Sequence, residues 1–167
     1  MQKEDEFVHF CSHTSKATGF LSNWFESKFD LDGIHFVSVE QAMMYKKAIL
    51  MGDERVAQHV LTTSDPKKIK QYGRSVKNWN QELWESNKIR IVTEALTAKF
   101  SQNLELQEKL LATRNAWLVE AAHYDTVWGN GLSANHPDAT KPENWPGLNL
   151  LGQCLMRVRE AIRATKQ

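Results

Sequence analysis

The helix around which we expect the chain to be organised is predicted by one stretch, Ser38-Val39-Glu40-Gln41-Ala42-Met43-Met44-Tyr45-Lys46-Lys47. Ser38 is a favourable N-cap residue, and Gln41 stands three residues later, where the partner in a capping box belongs. No glycine or proline follows until Gly52, so the sequence gives no signal to end the helix before that point.

Glu40 and Lys47 are predicted to lie on one face of this helix, because seven residues make nearly two full turns. Their positions are then about 10 Å apart along the helix axis. Met43 and Met44 lie between them, and this arrangement fits the floor of a ligand pocket. The alternative is a solvated helix surface whose two charges are too far apart to pair, and this stretch alone favours that alternative.

Length and composition predict one globular domain. The chain of 167 residues is long enough for one substantial core, and we expect a single domain over residues 1–167. The hydrophobic fraction is 41% and the charged fraction 25%, both ordinary for a globular protein. A net charge of +1 excludes a global field for holding nucleic acid or an anionic membrane, although it leaves room for a local basic pocket.

Several features favour a cytoplasmic protein that makes no contact with a membrane. No apolar run approaches the roughly 20 residues of a membrane span, and the acidic segment 1–6 does not resemble a secretory signal. Cys11 and Cys154 are far apart in the sequence and form no CxxC pair, so we interpret them as reduced thiols. The six histidines show no metal-site spacing, and no metal site is predicted.

The pattern of apolar residues predicts a mainly α fold, a single compact multi-helical domain with a few short strands near the N-terminus. The run 7–10 is typical of a strand, and Asp32-Gly33 between two short apolar runs predicts a hairpin turn. The run 117–119 is compatible with a strand or a helix. Helices are expected over 38–52, 54–61, 65–73, 80–100 and 104–112, and from about 152 to the end.

A long loop is predicted over 124–146, where three prolines and two glycines interrupt any apolar periodicity. Loops of this length in a compact domain are usually functional or disordered. The stretch Asp125-Thr126-Val127-Trp128-Gly129-Asn130-Gly131 favours a function. Glycine permits close approach of the backbone to a ligand, and tryptophan offers a flat stacking surface.

Three further places carry candidate functional residues, each with an ordinary structural explanation. Asn23-Trp24 is also what a turn followed by a core tryptophan would look like. Trp84 fits the buried side of an amphipathic helix equally well. Asn149 is expected to cap the last helix, which explains it without a function.

These residue types together meet the requirements for cleaving an N-glycosidic bond. Such a reaction passes through a cation-like sugar, which a carboxylate stabilises while it activates water. The leaving base needs a stacking surface and hydrogen bonds, and phosphate groups on the substrate need lysine or arginine. The residues that match these roles by type are Glu40, Asp125, Trp24, Trp84, Trp128, Asn149, Lys47 and Arg74.

An ordered set of motifs covers almost the whole chain. They are Phe20-Leu21-Ser22-Asn23-Trp24, Asp32-Gly33, the stretch 38–47, Gly73-Arg74, Trp84, Ala98-Lys99-Phe100, Gln102-Asn103, Leu110-Leu111-Ala112-Thr113, Asp125-x-x-Trp128-Gly129-x-Gly131 and Asn149-Leu150-Leu151-Gly152-x-x-Leu155-Met156-x-Val158-Arg159. In this order the motifs resemble those of the NADAR or YbiA-like family. One departure is Gln41, where the family commonly has histidine.

The resemblance implies a mainly helical single domain with N-glycosidase activity. Two substrate classes follow from it. One is a phosphoribosylamino-pyrimidine intermediate of riboflavin biosynthesis, from which ribose 5-phosphate is released. The other is ADP-ribose attached to guanine in DNA or RNA. Neither activity requires a metal or a redox cofactor, so no cofactor is expected, and the oligomeric state is left open.

We hypothesise that Glu40 is the main catalytic carboxylate, because its place in the first helical turn favours the ionised form. Asp125 is the second acid, which orients water or binds ribose hydroxyls, and Lys47 binds phosphate or steers the leaving base. The residues expected to bind substrate are Asn23, Trp24, Met44, Arg74, Trp84, Trp128, Gly129, Gly131 and Asn149.

Two other functional classes compete with the enzyme. A non-catalytic module that binds ADP-ribose or NAD would show saturable binding and would release no product. The presence of both candidate carboxylates argues against it. A purely structural helical protein is the weaker alternative, because the loop with aspartate, tryptophan and glycine contributes little to a core.

Overall fold

The computed structural model describes residues 5–166 and confirms the mainly helical fold class. Its strands are β1 Phe7–Phe10, β2 Phe29–Leu31, β3 Ile34–Phe36 and β4 Trp117–Glu120. Its α-helices are α1 Val39–Leu50, α2 Glu54–Val60, α3 Pro66–Arg74, α4 Gln81–Gln102, α5 Leu104–Ala112 and α6 Leu150–Thr165. Within the described residues, no helix combines the length and apolarity needed to cross a bilayer.

The chain forms two compact units. A central unit comprises Asn23–Asn103, and a terminal unit combines Met1–Ser22 with Leu104–Gln167. The central unit contains β2, β3 and the helices α1 to α4, whereas the terminal unit contains β1, β4, α5 and α6. The expectation of one domain over 1–167 stays a prediction.

Helix α1 is the centre of the central unit and packs against α2, α3 and α4. The predicted cap is confirmed, because the Ser38 side chain accepts a hydrogen bond from the Gln41 amide. The Gln41 side chain accepts from the Val37 amide at 2.8 Å and donates to the carbonyls of Val60 and Thr63. The Gln41 side chain therefore bonds to the amide of the residue before the N-cap, instead of that of the N-cap itself as in a standard capping box. It also links α1 to the end of α2.

The predicted hairpin joins β2 to β3, which pair antiparallel. Asp32 has a φ of 53° and Gly33 a φ of 78°, and positive φ at both central residues defines the type I′ turn that suits a two-residue hairpin. Gln102, at the end of α4, exchanges two side-chain hydrogen bonds with the backbone of Asp30. The hairpin is thereby fixed to α4.

The terminal unit contains a second pair of strands, β1 and β4, which run parallel. This pairing settles the ambiguity of the run 117–119, which is a strand. Helix α6 packs on β4, and its apolar stripe of Leu151, Leu155, Val158 and Ile162 is buried. Parallel pairing needs a long connection between the strands, so it leaves little local signal in the sequence.

Candidate active site

The twelve predicted site residues fall into both units. Those of the central unit are Asn23, Trp24, Glu40, Met44, Lys47, Arg74 and Trp84, and those of the terminal unit are Asp125, Trp128, Gly129, Gly131 and Asn149. Each group has its own geometry within its unit.

Glu40 lies in the first turn of α1 and is only 8% exposed. Its backbone amide donates to the Asn23 carbonyl at 3.0 Å, which holds the Asn23-Trp24 turn against the start of the helix. The amide groups at a helix N-terminus carry a partial positive charge, so this position favours a carboxylate. The predicted neighbourhood of Glu40 and Asn23 is therefore present in the fold, and their roles toward a substrate stay predictions.

Lys47 lies two turns further along α1 and is partly buried. Burial lowers the pKa of its ammonium group, the nearby Glu40 carboxylate opposes this change, and the Arg74 guanidinium adds to it. Glu40 and Arg74 are thus both near enough to Lys47 to change its pKa, and the assignment of the three residues to one site stays a prediction. A lysine of lowered pKa gives up its proton more readily than an ordinary lysine.

Two tryptophans surround the Lys47 ammonium. Its Nζ lies 4.8 Å from the ring centroid of Trp79 and 5.6 Å from that of Trp84, and the two rings are 6.1 Å apart. Sequence reasoning missed Trp79. The available signal was its position between Asn78 and Asn80, a polar context just before a helix cap and unlike that of a core tryptophan.

The burial of Trp84 changes its predicted role. Trp84 is only 7% exposed, and its ring is in contact with the Lys47 ammonium and the Trp79 ring. So little accessible surface favours support of Lys47 over direct stacking on a base. We therefore interpret Trp84 as a residue that packs beside the Lys47 ammonium, instead of a surface on which a base stacks.

Met44 is also a packing residue rather than part of an open pocket floor. Its side chain is buried and lies against Gly73 of α3, where an added Cβ would clash with the Met44 sulfur. This close approach brings α3 onto α1. Arg74 follows directly at the exposed end of α3, so the predicted Gly73-Arg74 motif places a cation within electrostatic reach of Lys47.

The side chain of Trp24 is partly exposed, and the Lys70 ammonium lies 5.9 Å from its ring centroid. Lys70 and Arg74 are four residues apart on α3, so they share one face of that helix. The central unit therefore presents Lys47, Lys70 and Arg74 in the surroundings of a single first-turn glutamate, a combination suited to a phosphorylated substrate.

In the terminal unit, Asp125 organises the predicted loop. Its Oδ1 accepts hydrogen bonds from the backbone amides of Val127 at 3.0 Å and Trp128 at 2.9 Å. This Asx-type turn fixes the conformation of the loop. The carboxylate thus has a demonstrated structural function, and its predicted function as the second acid stays a prediction.

The glycines of this loop are required by close contacts with other parts of the chain. A Cβ on Gly129 would come within 2.8 Å of the Asp125 carbonyl oxygen. Gly131 has a φ of +80°, and a Cβ there would lie 2.8 Å from the Pro146 ring. These contacts explain both glycines without a ligand, so their predicted role in substrate binding has no support from the loop geometry.

Asn149 occupies the expected N-cap position of α6, but its side chain makes no capping hydrogen bond. Its side chain is 2% exposed, accepts from the Glu120 amide and donates to the Leu118 carbonyl, both at 3.0 Å, so it is attached to β4. The amides at the start of α6 are satisfied by the loop, because Leu150 and Leu151 donate to the carbonyls of Val127 and Trp128. The structure thereby assigns Asn149 to the framework, which explains its burial without a substrate.

Comparison with known families agrees with this arrangement of elements. The model of the NADAR domain matches residues 9–163. The chain belongs to the NADAR domain family. This membership confirms the family indicated by the motifs along the sequence.

Named relatives add information on activity. N-glycosidase R617 of Acanthamoeba polyphaga mimivirus is 41% identical over 159 residues, which cover 92% of this chain and 94% of the relative. N-glycosidase YbiA of Escherichia coli strain K12 is 31% identical over 163 residues, covering 98% and 92%. The NMR structure of E. coli YbiA superposes with a TM-score of 0.80 at 30% identity and covers 98% of this chain and 89% of that one.

A third relative bears a metabolic name. The riboflavin biosynthesis protein VVA0006 of Vibrio vulnificus is 29% identical over 145 residues, which span 87% of this chain and 36% of that longer protein. Taken with the two N-glycosidases, these relatives confirm the prediction that the chain is a hydrolase acting on N-glycosyl bonds.

Proposed function

We propose that the protein hydrolyses the bond between ribose and a pyrimidine- or guanine-like base in a phosphorylated substrate. The observation that carries the proposal is the electrostatic group of Glu40, Lys47 and Arg74 around α1. It combines a buried carboxylate, a lysine of lowered pKa and an exposed guanidinium, which are the three charges such a reaction needs.

Glu40 is the residue proposed to face the sugar. When the bond from the anomeric carbon to the base nitrogen breaks, its electron pair goes to the nitrogen and the sugar becomes cation-like. A carboxylate held at a helix start stabilises that cation and takes a proton from the attacking water. Burial of Glu40 strengthens both effects, because a charge acts more strongly away from bulk solvent.

Lys47 is proposed to donate a proton to the departing base nitrogen. Its lowered pKa brings the ammonium closer to the range in which proton donation near neutral pH is efficient. After the water has attacked the anomeric carbon, exchange with solvent restores the proton of Lys47 and the charge of Glu40. The reaction consumes one water and releases the free base and the free sugar.

Arg74 and Lys70 are proposed to bind the phosphate group of the substrate. Both lie on one face of α3, and guanidinium groups bind phosphate in a bidentate manner. Two substrates satisfy these requirements, a phosphoribosylamino-pyrimidine and ADP-ribose attached to guanine in DNA or RNA. The name of the Vibrio relative favours the riboflavin-pathway compound.

A side-by-side assay tests the proposal. Purified protein is incubated with the phosphoribosylamino-pyrimidine or with an oligonucleotide carrying ADP-ribosylated guanine, and release of ribose 5-phosphate or ADP-ribose is measured. Glu40→Gln is compared with Glu54→Gln, which alters an exposed first-turn glutamate of α2. We expect turnover of one substrate, its loss in Glu40→Gln and its retention in Glu54→Gln.

The same assay exposes the failure of the proposal. If neither substrate is turned over while ADP-ribose binds saturably, the protein binds ADP-ribose without hydrolysing these compounds. If a substrate is turned over equally by Glu40→Gln, the protein is an N-glycosidase whose carboxylate has been assigned to the wrong residue.

A further inference from the structure

Trp79 is the more exposed of the two tryptophans that surround the Lys47 ammonium. It lies in the connection between α3 and α4 and is 43% exposed, whereas Trp84 is 7% exposed. Its ring centroid is nevertheless nearer to the Lys47 ammonium, at 4.8 Å against 5.6 Å. A large exposed indole therefore forms the solvent-facing side of a site whose inner side is already provided by Trp84.

The structure fixes this indole in place. Its Nε1–H donates to the Gln81 side chain at 3.0 Å, and Gln81 donates in turn to Glu85 at 2.7 Å, one turn further along α4. The next residue, Asn80, caps α4 through the Leu83 amide. Trp79 is thus attached to the first turn of α4 by a hydrogen bond that does not involve Lys47.

We propose that Trp79 is a positioning residue, which holds the Lys47 ammonium in place beside Glu40 and shields it from water. This inference rests on the proposed function, since it assigns to Trp79 a role that is exercised through Lys47. The contact of an ammonium with an aromatic face is attractive and is strongest when water is excluded. The Trp79 ring both attracts the Lys47 ammonium and keeps water away from it, while the buried Trp84 ring contacts the ammonium from the interior.

A merely structural role explains Trp79 less well. Nearly half of its surface is exposed, so its contribution to the core is small, and Trp84 already fills the adjoining buried space. Its ring contacts the Lys47 ammonium and the Trp84 ring, and its Nε1–H donates to the Gln81 side chain. Removal of the indole is therefore expected to alter Lys47 more than the stability of the protein.

The direction of the change follows from the causes that act on Lys47. Burial is the largest of them and lowers its pKa, while Glu40 of α1 raises it and Arg74 of α3 lowers it. Trp79→Ala leaves both charged groups in place, admits water to the ammonium and removes the attraction of the ring. Loss of that attraction by itself lowers the pKa of Lys47, but burial is the largest of the causes, so we expect the gain of water to outweigh it. The pKa of Lys47 should then rise toward its ordinary value of 10.5, which makes the ammonium a weaker proton donor.

Amine labelling measures this change without any assay of activity. Trace acetic anhydride is applied across pH 6 to 10, and acetylation of the Lys47 peptide is quantified by mass spectrometry against that of Lys68, which is exposed on α3. We expect the Lys47 labelling curve of Trp79→Ala to move to higher pH. Trp79→Phe should move it less, and Trp145→Ala, a change in a tryptophan of the terminal unit, should not move it.

Kinetics on the substrate identified in the assay above provide the second measurement. Trp79→Ala should lower kcat at neutral pH by about tenfold, because part of a positioned proton transfer is lost, and should leave KM within about twofold. Trp79→Phe should restore most of the rate. An unchanged labelling curve overturns the positioning role, and so does a raised KM with unchanged kcat, which would make Trp79 a substrate contact.

The two proposals fail in different ways. Turnover retained in Glu40→Gln removes the proposed mechanism but leaves the labelling result intact. A labelling curve that does not respond to Trp79→Ala removes the positioning role even when Glu40→Gln abolishes turnover.

Discussion

Lys99 is a fully buried lysine on α4, and its replacement by methionine should change how the stability of the protein depends on pH. Its side chain is 0% exposed, and its Nζ lies 5.0 Å from the ring centroid of Phe100 and 5.5 Å from that of Phe25. Burial away from water lowers the pKa of Lys99 from 10.5 to about 7. Lys99→Met keeps much of the side-chain volume and removes the titrating group.

The magnitude follows from proton linkage. In the unfolded chain Lys99 binds its proton up to about pH 10.5, whereas in the folded protein it loses the proton above about pH 7. Between these values the unfolded state binds more protons, so the free energy of unfolding rises with pH. Each pH unit contributes up to about 1.4 kcal/mol, which gives about 2 kcal/mol between pH 7 and pH 9. Below pH 7 both states hold the proton, and the contribution to the slope vanishes.

Urea unfolding of the wild type, Lys99→Met and Lys68→Met at pH 6, 7, 8 and 9 measures this effect. Lys68 is exposed on α3 and serves as the matched control. The difference between the wild type and Lys99→Met should grow in favour of the wild type by about 2 kcal/mol from pH 7 to pH 9. The Lys68→Met curve should run parallel to that of the wild type. A constant difference between the wild type and Lys99→Met would refute the reasoning.

Three other substitutions test roles assigned by the geometry. Asn149→Ala should lower the free energy of unfolding by about 2 kcal/mol, since two buried hydrogen bonds to β4 are lost, whereas the exposed Asn144→Ala should change it little in the same denaturation assay. Asp125→Asn keeps a side-chain oxygen that accepts from the Val127 and Trp128 amides and removes the negative charge, so stability should be retained while turnover falls by about tenfold. Unchanged turnover would make the carboxylate purely structural. Gly73→Ala should cost about 1–3 kcal/mol through overpacking against Met44, and it should cost less when it is introduced into a Met44→Ala variant, which lacks the clashing sulfur. An equal cost of Gly73→Ala in the wild type and in Met44→Ala would show that the clash is not the cause.

Elements with local signals were predicted well from the sequence. The cap at Ser38 and the turn at Asp32-Gly33 rest on hydrogen bonds and φ angles within a few residues, and both are present as predicted. The stripe of α6 follows from helical periodicity, which adjacent residues alone establish. The strand β4 was left open, because its partner β1 lies more than a hundred residues earlier and no local pattern announces that pairing.

The charged residues of the central unit were also accessible to sequence reasoning. The spacing from Glu40 to Lys47 placed both on one face of a helix, and the Glu40 carboxylate is near enough to raise the pKa of Lys47 against the effect of burial. Arg74 was found through its motif, and its effect on Lys47 depends on the packing of α3 against α1.

Residues with two plausible roles were harder to assign from type alone. Asn149 looked like a helix cap or a substrate contact and is attached to β4, a strand about thirty positions earlier. Trp84 looked like a stacking surface and is covered by Lys47 and Trp79. In both cases the deciding contact comes from a distant or irregular segment, which residue type and spacing do not reveal.

Single-turnover kinetics show whether the Glu40 carboxylate drives cleavage of the N-glycosyl bond. The rate of base release is measured with enzyme in excess over the substrate identified above, for the wild type, Glu40→Gln and Glu54→Gln. We expect the rate to be at least about a hundredfold lower for Glu40→Gln, with an unchanged thermal unfolding midpoint, and to equal the wild-type rate for Glu54→Gln. A Glu40→Gln rate within a few fold of the wild type would contradict it.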